Sequence, residues 1–457
     1  MRLLPSHELL AIWRATVDAS LRDGRWTWGG RHGRDSVSDA EQLLCILAPA
    51  TLLRTLRLDA QDTKQAALDA LQRLGDVVEI PRTIITLLQE YFDRYTDPSG
   101  APIFAAAGYL SPVEPGTIPT AQQQSLDMVT SYATTVKLSL AAIGFARVMR
   151  TWVRSDQLRS KIDMVEQRAS TRLSAAMVGL LRSFCIFTFD ATSPEGTALR
   201  SNLANDDLPV ENVPVARLRR DLRDVIAGFG EVSIGSGEAR DLDRPGRLFE
   251  CGWSWGVIKD APAVYTTEPI GAQPDGIAVA APYLGFTVAA MGAVTQLFYE
   301  RTRLLGLLNE EQARLGRALQ LRYDLAKDYW ATVATFGDTD WPLEDPPWRT
   351  TDSVELDYFS LLVASLTING LTQRRTLQSA NREASDDDWS RMAAVLVEMA
   401  SRGRIIRRPL AGDPALAYHS PGHQFHLAES AVTGSGPPFC GRSTTTPRYC
   451  SNAPHRH

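Results

Sequence analysis

Cysteine is scarce in this chain, and the five present, Cys45, Cys185, Cys251, Cys440 and Cys450, show no Cys-x-x-Cys spacing. That excludes the common zinc frameworks and a stapled secreted scaffold. Three of them sit in apolar or aromatic surroundings, which suits buried reduced thiols. An excess of one charge is also missing: 48 basic and 53 acidic residues, interspersed, leave a net charge of −5. No global field draws the chain to nucleic acid or to an anionic membrane. The opening MRLLPSHELLAIWRAT lacks the apolar run and small-residue cleavage site of a secretory signal, so the cytoplasm is expected.

Motifs for cofactors are equally sparse. Ile234-Gly235-Ser236-Gly237 lacks the spacing and the lysine of a phosphate-binding loop, and no Gly-x-Ser-x-Gly elbow occurs. Asp241-Leu242-Asp243-Arg244 and Asp386-Asp387-Asp388 are too short or wrongly spaced to hold a magnesium diphosphate. His419, His423 and His426 have metal-like spacing but lie in a Pro-Gly loop without a regular scaffold. No cofactor and no metal is therefore expected. Long Leu/Ile-rich runs are absent too. The one uncharged stretch, Gly276 to Tyr299, is cut by Pro282 and is rich in Ala, Gly and Thr. It predicts a buried helix and no membrane span.

What the sequence does hold is apolar spacing of three to four residues through most of its length, with few period-two runs, so the fold class is mainly α. The spacing predicts helices over Ser6–Arg22, Ser38–Leu56, Thr63–Leu74, Pro81–Tyr95, Gln122–Val153 and Gln157–Phe189. It predicts further helices over Val215–Gly228, Pro282–Leu308, Glu310–Phe336, Glu355–Leu371 and Asp386–Arg402. Ser38 with Glu41 reads as a capping box, and Pro81 suits a first helical position. Loops are expected over 97–120, 191–213, 234–280 and 337–353. Helices opening with SDAEQLLCIL, LDMVTSYATTVKLSLAAI, APYLGFTVAAMGAV and LDYFSLLVASLTING share a loose pattern of small and hydroxyl residues. Small residues allow close approach, as the inner helices of an α/α toroid of helical hairpins require. An irregular α-bundle is the alternative.

The domain reading is an all-α domain over 1–380, a helix plus β-hairpin over 381–426, and an irregular tail from 427. Arg402, Arg404, Arg407 and Arg408 would suit a winged helix. No preceding helix-turn-helix is visible, so a capping hairpin is preferred and no nucleic acid is expected. After His426 the sequence AESAVTGSGPPFCGRSTTTPRYCSNAPHRH loses all periodicity. It reads as out-of-frame translation after a frameshift, or else as a disordered tail.

Two phrases carry the chemistry worth testing. RWTWGGRHGRDS, from Arg25, sets Trp26 and Trp28 among glycines with Arg31 and Asp35. LFECGWSWGVIKDAP, from Leu248, supplies Glu250, Trp253, Trp255, Lys259 and Asp260. Flat aromatic faces beside charged groups suit a sugar ring or a planar ligand, and convergence of the phrases would line one mouth with tryptophans and carboxylates. The competing reading is that alternate tryptophans plug gaps between helices. Asp35, Asp39, Asp127, Glu250, Asp260 and Asp357 are the carboxylates available for acid and base work.

On WTWGGRHGRDSVSDAEQLLCIL, LFECGWSWGVIKDAP and RTRLLGLLNEEQARLGRALQLRYDLAKDYW, the chain resembles an uncharacterised family of streptomycete-type actinobacterial proteins. Those proteins are encoded beside a variant P-loop ATPase. The resemblance runs to about residue 425, where the relatives continue with ordinary globular sequence. It implies a P-loop ATPase partner and a non-catalytic scaffold or recognition component. The alternative is a toroidal enzyme or small-molecule binder with a Trp-lined pocket for a carbohydrate or polyprenyl-like ligand.

Overall fold

Helical periodicity becomes fourteen α-helices in the computed structural model, which describes residues 5–29, 35–58, 63–106, 125–204, 209–231, 242, 244–337, 340–374 and 385–403. The first helices are α1 (Pro5–Ser20), α2 (Ser36–Leu52), α3 (Gln65–Leu71), α4 (Glu79–Arg94), α5 (Met128–Trp152) and α6 (Asp156–Ser183). They are followed by α7 (Pro194–Leu203), α8 (Val215–Asp221), α9 (Arg223–Gly228), α10 (Leu284–Phe298) and α11 (Glu300–Leu304). The last are α12 (Glu310–Ala334), α13 (Asp357–Arg374) and α14 (Asp386–Arg402). Among the described residues the strands come in antiparallel pairs: β1 (Leu21–Arg22) with β2 (Arg25–Trp26), β3 (Phe184–Asp190) with β4 (Arg247–Trp253), and β5 (Trp348–Arg349) with β6 (Glu355–Leu356).

Several local outcomes differ from the sequence reading; the helices expected over Val215–Gly228 and Pro282–Leu308 are each divided in two. The helix expected to run to Phe189 stops at Ser183, and Phe184–Asp190 becomes a strand. FCIFTFD is aromatic and β-branched, and its burial on both sides erases the period-two alternation that marks an exposed strand. Pro194–Leu203 is a helix inside an expected loop; Ser193 accepts from the Gly196 N–H and Pro194 occupies the first turn. Finally, Asp35, not Ser38, caps α2, accepting from the Val37 and Ser38 amides. The uncharged stretch contains the 15-residue α10, and no helix among the described residues is long and apolar enough to cross a membrane. The hairpin expected before residue 426 and the tail from 427 lie outside the described residues.

Contacts divide the chain into two compact units that each draw on separate stretches. The first contains Met1–Ser183, Trp255–Ala278 and Ala289–Gln320; the second contains Phe184–Ser254, Val279–Val288 and Leu321–His457. In the first, α5 is buried nearly all round between α2 and α6, and α4 packs on α6. Ala133, Ala142 and Ala146 on α5 leave almost no surface, so the backbones approach closely. In the second, the β3/β4 ribbon is the core. Phe184, Ile186, Phe249, Cys251 and Trp253 share one face, and on that side Trp330 of α12 donates its indole N–H to the Cys251 carbonyl at 3.2 Å.

Candidate functional site

The first Trp-x-Trp-Gly phrase leaves the β1/β2 hairpin and is spent on holding two helices. Trp26 donates its indole N–H to Gln42 Oε1 of α2 at 3.0 Å, and Trp28 donates to Glu90 Oε2 of α4 at 3.1 Å. Gly29 sits at φ 93°, a region that favours glycine, and its N–H donates to both carboxylate oxygens of Asp39 at 2.8 and 2.9 Å. Tyr95, just past the end of α4, donates to the same carboxylate at 2.6 Å, while the Arg94 guanidinium lies 3.9 Å away. Burial raises the Asp39 carboxyl above its ordinary range, against the lowering effect of the Tyr95 and Gly29 donors. Asp35 is buried as the α2 cap, also taking the Ser38 hydroxyl at 2.9 Å.

Behind this clasp lies Arg172 of α6, buried without an acid. It donates to the carbonyls of Tyr95 and Ile103 at 2.9 and 2.8 Å, and its guanidinium stands 4.6 to 5.8 Å from the rings of Phe104, Tyr91 and Tyr95. Such stacking offsets part of the cost of a buried cation.

The second phrase does different work. Trp253 ends β4 at 0% exposure, edge-on to Phe184 at 5.1 Å. Its N–H donates to Thr287 Oγ1 at 3.0 Å and its carbonyl accepts from Tyr283 N–H at 2.9 Å. A Cβ on Gly252 would stand 2.4 Å from that same Thr287 oxygen, so the glycine permits the approach. Glu250 points to the opposite face of the ribbon and accepts from Thr351 Oγ1 at 3.1 Å. Trp255 is buried in the first unit, its carbonyl taking the Val129 N–H at 3.3 Å. Lys259 and Asp260 are exposed on a turn whose Ala261 and Pro262 carbonyls accept from Arg182.

The structure therefore brings Trp26, Trp28, Asp35 and Asp39 together in the first unit. Glu250 and Trp253 belong to the second, on opposite faces of one ribbon; Arg31 lies outside the described residues. Of the four tryptophans, Trp28 alone is more than marginally exposed. Asp127 opens α5 at φ 64°, and Asp357 opens α13 and pairs with Arg402 at 2.8 Å.

With both phrases placed, their comparison with known proteins can be read: residues 1–442 match a family model described as SCO2524-like. The chain belongs to the SCO2524-like family. The match extends past the compositional break after His426. No curated protein and no solved structure matches, so family membership brings no reaction with it.

In this SCO2524-like chain a cleft of about 510 Å³ lies in the first unit away from both tryptophan phrases. Arg147 and Arg150 of α5 face Glu166 of α6, at 2.8 and 3.3 Å, and Arg150 also pairs with Asp163. Arg147 donates further to the Leu305 and Gly306 carbonyls at 3.0 and 2.8 Å. Across the cleft, Gln312 donates to Ser170 and Ser174, and its side chain caps α12 reciprocally with Asn309. These charges satisfy one another, so a polar ligand would have to break ion pairs to enter. The sequence reading missed this cleft. The signal was Arg147-x-x-Arg150 followed, after a short turn, by Asp163-x-x-Glu166, matching charges at one-turn spacing on successive helices. No group of His, Cys, Asp and Glu among the described residues could hold a metal, and Cys45, Cys185 and Cys251 are not joined in disulfides.

Proposed function

We infer that this chain is a non-catalytic recognition component that acts by binding protein, its partner being the P-loop ATPase encoded beside members of the family it resembles. The observation that carries the reading is an exposed apolar surface around α11. Leu304 is 71% exposed, and Leu305, Phe298, Tyr299 and, at the end of α2, Leu52 and Leu53 are exposed as well. Leu52 and Tyr299 border one cavity, so these stretches adjoin. Arg57, Arg303 and Glu300 provide charge beside the apolar residues. Water-facing leucine and aromatic side chains beside arginine have the composition of an interface core with a polar rim.

The state of the carboxylates supports the same reading. Asp35, Asp39 and Glu250 are buried and engaged by amides or hydroxyls, an arrangement suited to holding backbone in place. A mouth lined by four tryptophans has little support when Trp253 has no accessible surface. The test is direct titration of the purified ATPase against this chain and its Leu304→Asp/Leu305→Asp variant, with circular dichroism as the folding control. Binding by the parent and a loss of at least tenfold in the variant, at unchanged helicity, is expected. Absence of binding by the parent at tens of micromolar would overturn the reading.

A further inference from the structure

A second cavity in the first unit, of about 200 Å³, lies between α2, α5 and the stretch from Gln296 to Leu307. Its walls are mostly apolar: Leu44 and Ala48 from α2, Leu140 and Ala141 from α5, and Leu307. Set into them are two cations, Lys137 and Arg301, and no acid lines the space. Among the described residues neither cation has a hydrogen-bond or ion-pair partner. Glu41 acts on Lys137 only through space, and the charge nearest in effect to Arg301 is another cation, Arg57.

This arrangement is expensive as pure structure. Placing two positive groups on one largely apolar wall that holds no acid disfavours both, and burial pulls the Lys137 ammonium, against the raising effect of Glu41, and the Arg301 guanidinium below their ordinary values. Methionine or leucine would fill the same volume at no electrostatic cost. The nearby ion-paired cleft shows the contrast, since its arginines are each matched by a carboxylate. What the cavity lacks is one negative charge with an apolar body behind it.

We propose that this cavity binds a small monoanion with an apolar body, a short-chain or aromatic carboxylate, whose carboxylate meets Lys137 and Arg301 and whose body lies on Leu44, Ala48, Leu140 and Leu307. The guanidinium fork fits a carboxylate in two-point contact and the ammonium adds a point charge. The volume lies below that of a drug-sized site, which sets the upper size of the ligand. The cavity shares Leu52 and Tyr299 with the partner surface, but its test involves neither Leu304 nor Leu305.

Hexanoate and benzoate are titrated into the full chain by calorimetry, with hexanamide and benzamide as uncharged counterparts and inorganic phosphate as an anion lacking the body. At least one carboxylate is expected to bind at least tenfold more tightly than its amide and than phosphate. Lys137→Met and Arg301→Gln should each weaken that carboxylate at least tenfold. Lys137→Met also separates binding from folding: removing a half-buried charge that has no hydrogen-bond or ion-pair partner among the described residues should leave the melting temperature unchanged or raised while the carboxylate-induced rise in melting temperature disappears. Failure of both carboxylates to bind at millimolar concentration, equal binding of acid and amide, equal binding of phosphate, or full binding by a folded Lys137→Met variant would each overturn the proposal.

Discussion

The two Trp-x-Trp-Gly phrases use nearly the same letters for opposite physical ends. Around Trp26 and Trp28 the contacts are polar and directional: indole N–H groups reach Gln42 and Glu90, and a glycine amide reaches the Asp39 carboxylate. Around Trp253 the dominant contact is aromatic surface against Phe184, with main-chain hydrogen bonds completing the strand end. A tryptophan in the first phrase fastens two helices through its edge, whereas one in the second fills volume. Identical motifs can thus differ in what a mutation removes, a hydrogen-bonded link in one case and packed area in the other.

The largest break in that comparison should come from Trp253→Ala, expected to cost about 3 to 5 kcal/mol as a large core deletion and measurable as a shifted denaturation midpoint. Asp39→Ala comes next. It strands the Gly29 amide and the Tyr95 hydroxyl in a buried site, an expected loss of about 2 to 4 kcal/mol by the same measurement. Thr287→Val, which keeps the shape but removes the acceptor for the Trp253 N–H, should cost about 1 to 2 kcal/mol. Trp28→Ala should be smallest, about 1 kcal/mol or less, because its ring is half-exposed and its partner Glu90 lies at the surface. If Trp28→Ala matched Trp253→Ala, the distinction between fastening and filling would collapse.

Acid titration sharpens the same contrast. The Asp39 carboxyl is raised by burial in the folded state, so above the ordinary aspartate range the folded protein holds a proton that the unfolded chain has released. Its contribution to stability is therefore greatest at low pH and is lost as pH rises through the raised value. Asp39→Asn removes that slope. The stability of the parent relative to Asp39→Asn should fall as pH rises, read from urea midpoints across the acid range; a flat or rising difference would contradict the assignment. The second phrase offers no comparable dependence through Trp253, which does not ionise.

Much of the helical frame was legible because amphipathic spacing survives wherever a helix has one wet face; Asp386–Arg402 came out with its ends as read. The β3/β4 ribbon was hidden because it is buried on both sides, and FCIFTFD gives no alternation to read. Asp35 capping α2 was masked by a competing Ser38–Glu41 pattern that satisfies the same rule three residues later. The candidate-site residues are divided between the units for a different reason. Linear proximity gathered Trp253, Trp255, Lys259 and Asp260 into one phrase, but β4 ends at Trp253, which belongs to the second unit, whereas Trp255, Lys259 and Asp260 belong to the first. The unmatched cations Lys137 and Arg301 carry no motif at all, since an absent counter-charge is a three-dimensional fact.

Arg172 has a further consequence for motion. The chain from Tyr95 to Ala106 lacks a helix and would ordinarily open to water independently of its surroundings, as surface connections do. Here the guanidinium grips the Tyr95 and Ile103 carbonyls, the Ile103 amide returns to Tyr95, and the Ala105 amide is held by Ser36. Amide deuteration at Ile103 should therefore proceed only through an opening that frees the segment from the end of α4 and from α6, and at Ala105 only through one that frees it from α2, making an irregular segment exchange on the timescale of the helices that hold it.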